Sequence, residues 1–346
     1  SGEGLEEKVN LILTDMKKIV YIILMFTTAI TLNAQWVLQT TGTTQTLHSI
    51  NPVDADTAFA VGSSGTVIKT VNGGINWISV SSGGLPNLYG GYFLNGNTGW
   101  VVGVNGKVFK TTNSGTNWVE KNSGTTNLLY KVCFVNANTG WICGVGATVK
   151  KTTNGGDNWT TLSAYGAEAN AIYFVDENTG WQTGSSGKIY KSTDGGSSWI
   201  EQTPVAIAWF TNMSFINANT GWICGRDQSI MKTTNGGTNW ISTYPPGSKQ
   251  FNSISFVNQY AGIAITSNNI YVKTTNGGTN WSIDSLANIG YSIKFINGNT
   301  GWIAGYSGTI YKTTNGGLTF ISTTTTEIPN SYSLQQNYPN PFNTTT

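Results

Sequence analysis

The stretch Lys151-Thr-Thr-Asn-Gly-Gly-Asp-Asn-Trp159 decides the fold, because variants of it occur seven times along the 346 residues at spacings of 39 to 41. Each copy closes on an aromatic residue: Trp77, Trp118, Trp159, Trp199, Trp240, Trp281 and Phe320. Self-similarity at about 40 to 45 residues is typical of β-propeller blades. The period therefore predicts one closed array of repeats rather than several independent domains.

One repeat, residues 129 to 163, contains four short strand-like runs separated by turn residues. The predicted strands are Tyr130–Val135, Trp141–Gly144, Thr148–Thr152 and Asn158–Leu162. Asn-Thr-Gly and Asn-Gly-Gly turns between the runs favour hairpins, since glycine and asparagine tolerate positive φ. The predicted fold class is all-β, a seven-bladed β-propeller of four-stranded antiparallel blades.

The turn in the quoted stretch resembles the Asp-box, or bacterial neuraminidase, repeat Ser/Thr-x-Asp-x-Gly-x-x-Trp. Only the copy with Asp194 keeps the aspartate of that motif, and asparagine stands in the other six: Asn72, Asn113, Asn154, Asn235, Asn276 and Asn315. The resemblance implies that this turn and its closing aromatic residue fasten the blade. We therefore assign these residues a structural role, in which the polar side chains bind the turn backbone and the aromatic ring packs inward.

The closing aromatic residues also leave one question open at the ends of the array. Trp36 lies 41 residues before Trp77, so there are eight candidates for the fourth strand but only seven sets of the other three. Either the segment Gln35–Gln39 or the segment Phe320–Thr323 can supply the outer strand of the last blade.

The repeats contain the stretches Leu47-His-Ser-Ile50, Asn138-Thr-Gly-Trp-Ile-Cys-Gly144 and Thr152-Thr-Asn-Gly-Gly156. Through these stretches the chain resembles, over residues 36 to 323, the propellers of the photosystem II assembly and stability factor family. The resemblance implies a seven-bladed, non-enzymatic binding scaffold. The chain departs from that family's arginine-rich patch, because Arg226 is its only arginine.

The two ends of the chain predict export. Met16-Lys-Lys18 and the apolar run to Ile30 have the pattern of a signal peptide cleaved after Ala34, with a retained membrane anchor as the alternative. The segment Ser331–Asn343 resembles the opening of the type A C-terminal sorting domain of type IX secretion, with a proline-rich linker as the alternative. The resemblance implies interaction with that secretion machinery and a secreted or cell-surface location.

These features divide the chain into four predicted segments. Residues 1–15 are an upstream or unstructured segment, 16–34 a signal peptide, 35–325 the propeller, and 326–346 a linker with the truncated start of the sorting domain. No transmembrane span is expected after cleavage of the leader, and the protein is expected to be a monomer.

Composition argues against several functional classes. Charged residues make up 10% of the chain and the net charge is +2, which does not suit a nucleic-acid partner. With one histidine, no metal site and no cofactor are predicted. The prediction is a protein without enzymatic activity; the alternative is a carbohydrate-active glycoside hydrolase, which would need two of its scattered acids to converge. Those acids are Glu120, Glu168, Glu201 and Asp227.

The three cysteines occupy positions that favour buried free thiols. Cys143 and Cys224 stand at the same position of two repeats, where other repeats carry small side chains. Cys133 precedes Cys143 by one strand, so a bridge between these two is the alternative.

The loops that precede the first strand of each repeat differ from one another, and binding functions concentrate on such loops. Counting back eleven residues from the second-strand Trp position gives one candidate binding residue per blade at the mouth of the central channel: His48, Tyr89, Tyr130, Asn170, Thr211, Asn252 and Tyr291. Trp209, Arg226 and Asp227 are expected nearby. This mixture suits an unknown protein or glycan partner; alternatively, the seven residues simply rim a water-filled channel.

Overall fold

The computed structural model describes residues 36–317 except 82, 164–167, 186, 203–208, 228 and 248–249. Seven separate four-stranded antiparallel sheets follow one another along these residues. The predicted fold, a seven-bladed propeller of four-stranded blades, is confirmed. The predicted segments 1–15, 16–34 and 326–346, and Phe320, lie outside the described residues.

Strands are numbered in chain order, and the blades are numbered from the first complete one. The innermost strands of blades 1 to 7 are Leu47–Pro52 (β2), Leu88–Phe93 (β6), Leu129–Phe134 (β10), Ala169–Phe174 (β14), Phe210–Phe215 (β18), Phe251–Phe256 (β22) and Gly290–Phe295 (β26). The second strands are Ala58–Gly62 (β3), Gly99–Gly103 (β7), Gly140–Gly144 (β11), Gly180–Gly184 (β15), Gly221–Gly225 (β19), Gly262–Thr266 (β23) and Gly301–Gly305 (β27).

The third strands are Val67–Thr70 (β4), Val108–Thr111 (β8), Thr148–Thr152 (β12), Ile189–Ser192 (β16), Ile230–Thr233 (β20), Ile270–Thr274 (β24) and Ile310–Thr313 (β28). The outermost strands of blades 1 to 6 are Ile78–Ser79 (β5), Val119–Lys121 (β9), Thr160–Thr161 (β13), Ile200–Gln202 (β17), Ile241–Thr243 (β21) and Ser282–Ser285 (β25), and Val37–Gln39 (β1) is the outermost strand of blade 7. Single 3-10 turns lie between the second and third strands at Ser63–Gly65, Val104–Gly106 and Tyr306–Gly308.

Three of the four strands of the type repeat have bounds that differ from those predicted. The innermost strand of blade 3 begins and ends one residue earlier than expected, at Leu129–Phe134, the second strand begins one residue earlier, at Gly140, and the outermost strand is only Thr160–Thr161. The outer strand begins directly after Trp159, whose ring meets the edge of Phe134 at a centroid distance of 6.1 Å. By contrast the second strands are buried along their whole length, since neighbouring blades cover both faces.

The repeated turn is held by its own side chains. In blade 3 the Thr152 hydroxyl oxygen accepts the N–H of Gly156 at 2.9 Å, and the Asn154 carboxamide oxygen accepts the N–H of Asn158 at 3.0 Å. Gly156 adopts a φ of 92°, which favours glycine. The N–H of Gly155 donates to the Asn138 carbonyl at 2.8 Å, which joins this turn to the turn between the first two strands. The two kinds of turn thus share one face of the propeller.

Blades contact one another through a repeated set of three aromatic rings. The second-strand ring of one blade lies parallel to the innermost-strand Phe of the next, as in Trp141 and Phe174, whose centroids are 3.6 Å apart. The closing Trp199 meets the edge of the same Phe174 at 5.9 Å. Parallel pairs of this kind also join Phe59 to Phe93, Trp100 to Phe134, Trp181 to Phe215 and Trp222 to Phe256.

A lysine on the third strand covers the outer side of the second-strand ring. The ammonium of Lys151 lies 5.2 Å from the centroid of Trp141, its cross-strand partner. Lys312 lies 4.6 Å from Trp302 and also donates to the Gly73 carbonyl of blade 1 at 2.8 Å. The lysines therefore contribute to packing and, at this interface, to the contact between blades.

The last blade is closed by the segment that precedes the first. Strand β1 pairs antiparallel with β28, with Val37 opposite Lys312 and Gln39 opposite Ile310. Trp36 is buried and contacts the edges of Tyr271 and Phe295, at centroid distances of 6.4 and 5.8 Å. Of the two segments that the sequence left open, the N-terminal one supplies the outer strand through Val37–Gln39, whereas Phe320–Thr323 lies outside the described residues.

Replacement of Trp36 by Ala tests this closure. We expect Trp36→Ala to lower the free energy of unfolding by about 3–5 kcal/mol, because the ring is buried between two blades. Urea unfolding of the full chain measures the change. The matched control is Val37→Ala, whose side chain is exposed and should cost less than about 1 kcal/mol. Equal effects of the two substitutions would show that β1 contributes no closing contact.

Candidate binding site at the channel mouth

Each of the seven sequence-predicted binding residues is the extra residue of a β-bulge. In every blade the pairing between the innermost and second strands skips one residue, as between Leu129 and Lys131 in blade 3. The skipped residues are His48, Tyr89, Tyr130, Asn170, Thr211, Asn252 and Tyr291. A bulge turns its extra side chain away from the regular ladder. The repeat thus places one freely directed side chain per blade where the innermost strand begins.

Four of these residues form a continuous aromatic row, which we call the aromatic arc: Tyr291, His48, Tyr89 and Tyr130. His48 stacks on Tyr89 with centroids 4.8 Å apart and an interplanar angle of 14°. Tyr291 lies 5.8 Å from His48 on one side, and Tyr130 meets Tyr89 edge-on at 6.3 Å on the other. All four side chains are half-buried. The arc spans blades 7, 1, 2 and 3.

The other three candidates hold neighbouring innermost strands together. The Asn170 amide donates to the Phe210 carbonyl at 3.0 Å, the Thr211 hydroxyl to Phe251 at 2.7 Å, and the Asn252 amide to Gly290 at 2.8 Å. The seven residues therefore do not form one uniform ring. Four of them come together as an aromatic surface, and the side chains of the other three form hydrogen bonds between neighbouring blades from blade 4 to blade 7.

Arg226 and Trp209 form a second feature on the same face. The N–H of Arg226 donates to the Trp209 carbonyl at 2.9 Å, and its guanidinium carbon lies 4.4 Å from the centroid of the Trp209 ring. Burial, followed by the carboxylate of Glu168, raises the pKa of Tyr130, while Arg226 acts in the opposite direction. Arg226 and Glu168 therefore both act on the end of the arc. Asp227 is exposed, and among the described residues no contact joins it to the arc.

Below the arc the innermost strands enclose a channel with a volume of about 660 Å³. The first residue after each bulge forms its upper layer: Ser49, Gly90, Lys131, Ala171, Asn212, Ser253 and Ser292. Two residues further on stand Asn51, Tyr92, Cys133, Tyr173, Ser214, Ser255 and Lys294. All but Gly90 of these residues line the cavity. Two lysines therefore face a confined, mostly polar space.

Sequence reasoning missed both channel lysines. Lys131 and Lys294 are not part of the repeated motif, and each replaces a residue that is small or uncharged in the other blades. Their position in the repeat could have indicated them: Lys131 lies one residue after the bulge residue Tyr130, and Lys294 lies three residues after the bulge residue Tyr291. Burial lowers the pKa of both lysines, and Lys294 lowers that of Lys131 further by repulsion. The Lys294 side chain lines the channel and is exposed to the solvent there.

All three cysteines are free, so the alternative of a Cys133–Cys143 bridge is wrong. Cys143 and Cys224 are buried, as expected, and Cys133 is half-buried at the channel wall. Burial raises the pKa of Cys133 to about 12. A thiol with so high a pKa is protonated near neutral pH and is a poor nucleophile.

Two of the four acids considered for hydrolysis, Glu120 and Glu201, lie on different blades. Glu120 pairs with Lys107 and Glu201 with Lys188, each on an exposed outer strand of a different blade. Glu168 forms a backbone bridge with Val145 beside the innermost strand of blade 4. Across the described ranges, no group of three or more His, Cys, Asp or Glu side chains is arranged to hold a metal ion. A search of the same residues finds no helix long and apolar enough to cross a membrane.

Fold and repeat together define a seven-bladed β-propeller whose blades share one fastening turn. The chain belongs to the family described as photosynthesis system II assembly factor YCF48, whose model matches residues 85–200, 165–244 and 202–325. No curated protein matches the sequence.

Solved structures of similar fold include two members of that family. A structure described as YCF48 bound to D1 peptide is 18% identical with a TM-score of 0.69, over 83% of this chain and 96% of the other. YCF48 from Cyanidioschyzon merolae is 17% identical with a TM-score of 0.65, over 80% and 98%. The WD40 propeller domain of Doa1 is 13% identical with a TM-score of 0.69, over 80% and 96%. At these identities the likeness to the structures supports the fold alone.

The position of His48 in the arc makes its titration measurable. Burial, and then the positive charge of Lys131, lowers the pKa of His48. We expect its imidazole resonances, the only ones in the chain, to titrate below the ordinary value of about 6.5. A midpoint at or above that value in an NMR titration of the full chain would contradict the placement of the ring.

The lowered pKa of His48 also makes the free energy of unfolding depend on pH. Because the folded protein binds this proton less tightly than the unfolded chain, the stabilising contribution is complete above pH of about 6.5 and is lost as the pH falls toward the folded-state pKa. His48→Gln is the control, since its unfolding free energy should change less over that range.

Proposed function

We propose that the protein is a non-catalytic scaffold that binds a peptide segment of a partner protein at the aromatic arc. The observation that carries the proposal is the arc itself, in which four adjacent bulges present Tyr291, His48, Tyr89 and Tyr130 as one half-buried row. Such rings offer apolar faces and polar edges together, the combination that dominates the energetics of many recognition surfaces.

Three further observations support peptide binding. The Arg226–Trp209 pair lies on the loop-rich face and adds an exposed cation there. The loops that frame the site differ in every blade, whereas the opposite face repeats the same turns. Finally, the family to which the chain belongs is described as an assembly factor, and one structure of similar fold is described as bound to a peptide.

Absence of catalysis is part of the proposal. Glu120 and Glu201 are engaged in separate ion pairs on exposed strands of different blades, so these two acids do not share a substrate position. A glycoside hydrolase needs two carboxyl groups within about 5–10 Å across one bond. The arrangement of these acids therefore favours binding over hydrolysis.

Binding to peptides is tested with a displayed library of random twelve-residue peptides panned against the full chain. We expect selected peptides to lose at least about tenfold in affinity for Tyr89→Ala/Tyr130→Ala/Tyr291→Ala, because aromatic anchors contribute most to such interfaces. The control replaces three exposed outer-strand residues, Val119→Ala/Ile200→Ala/Ile241→Ala, and should leave affinity unchanged. Thermal unfolding verifies that both variants fold.

Two results would oppose this function. Peptides whose affinity is the same for the arc variant and the native chain would exclude the arc as their site. Failure of every peptide, together with arc-dependent binding on a glycan array, would favour a carbohydrate ligand instead.

The proposed location is the cell surface or the extracellular medium. It is supported by the leader pattern of residues 16–34 and by the resemblance of residues 331–343 to a type IX sorting domain. In a bacterium that has the type IX system, we expect mass spectrometry to find the mature N-terminus at Gln35 in the surface or medium fraction. Deletion of residues 331–346 should retain the protein in the periplasm. Recovery of Met16 in the cytoplasm would refute this location.

A further inference from the structure

The channel beneath the arc is rich in hydrogen-bond donors. Ser292 accepts the N–H of Ile50 at 3.2 Å, and Ser253 accepts the N–H of Ile293 at 3.3 Å. Ser214 and Ser255 accept backbone N–H groups of the next blades in the same way. Because each oxygen already accepts a bond, its hydroxyl proton remains available to another acceptor in the channel.

The charged groups of the channel carry a single sign. Lys131 and Lys294 line the cavity, and the described residues that line it include no aspartate or glutamate. Neither ammonium has a hydrogen bond or ion pair with any part of the chain that the structure describes. Lys131 is half-buried and Lys294 is exposed to the solvent of the channel, and the two ammonium groups repel each other unless an opposite charge joins them.

The size and walls of the channel restrict what can join them. At about 30 Å³ per water, its 660 Å³ hold roughly twenty waters, which is ample for a small hydrated anion. Beyond the layer of Lys294 every blade contributes an aliphatic residue: Val53, Leu94, Val135, Val175, Ile216, Val257 and Ile296. Of these, Val135, Val175 and Ile216 line the cavity, so apolar side chains border the polar part of the channel on that side.

From this geometry we propose that the channel is a binding site for a compact oxyanion, held between Lys131 and Lys294 with the serine hydroxyls as additional donors. The anion is either free, such as inorganic phosphate, or the charged end of a larger molecule. The site is separate from the aromatic arc and does not depend on peptide binding there.

Calorimetric titration of the full chain at low ionic strength tests the proposal with inorganic phosphate and with glycerol 3-phosphate. We expect Lys131→Met and Lys294→Met each to reduce affinity at least about tenfold, whereas Lys131→Arg retains binding. The control is Lys188→Met, which removes an exposed lysine paired with Glu201 and should change affinity less than about twofold. Equal affinities for the two probes identify a free anion, and tighter glycerol 3-phosphate binding identifies the charged end of a larger molecule.

Thermal unfolding gives a second test that does not depend on the measured affinity. Without phosphate, Lys131→Met should unfold at a temperature higher by roughly 2–4 °C, because it removes a confined unpaired charge. Phosphate should raise the unfolding temperature of the native chain but not of the double Met variant. Phosphate binding that is undetectable, or indifferent to both lysines, overturns the proposal.

Discussion

At five of its seven blade interfaces the propeller depends on the parallel contact between a second-strand ring of one blade and the innermost-strand Phe of the next. At the interface of blades 3 and 4 Trp141 is fully buried, stacks on Phe174 and donates its indole N–H to the Gly195 carbonyl at 3.0 Å. One side chain thus connects the core of its own blade, the inner strand of the next and the turn of the next. Because a blade alone leaves both faces apolar, this contact makes each blade stable only beside its neighbours.

Around the channel the two halves of the inner circle are built differently. Between blades 4 and 7, side chains such as Asn170, Thr211 and Asn252 are used up in bonds to the neighbouring strand. From blade 7 to blade 3, the same register carries aromatic rings that contact one another instead. A pseudo-symmetric frame therefore presents an asymmetric surface, which is what recognition of an asymmetric partner requires.

The sequence predicted the blade number, the strand order and the turns because these repeat, and repetition makes each signal visible seven times. Strand ends were less predictable: the closing Trp residues precede the outer strands in the sequence of every complete blade, yet those strands range from two residues, as in Thr160–Thr161, to four, as in Ser282–Ser285. Counting along the repeat located the bulge residues, but it could not show that His48 meets Tyr89 while Asn170 bonds to Phe210. The sequence did not predict Lys131 and Lys294 as channel residues, because no other blade carries a lysine at either of their positions. Only closure of the ring of blades brings the two lysines into one channel.

The pairing of β1 with β28 has a consequence for the order in which the strands of the propeller pair during folding. The partners Val37 and Lys312 are separated by almost the whole array, so this contact has the largest sequence separation of any strand pair in the described chain. Contacts of this kind form late, because the entropy of a long loop opposes them until the intervening chain is ordered. During synthesis β1 and the apolar ring of Trp36 precede their partners in blades 6 and 7 and stay unpaired until those blades have been made. A holding chaperone would shield this segment over that interval.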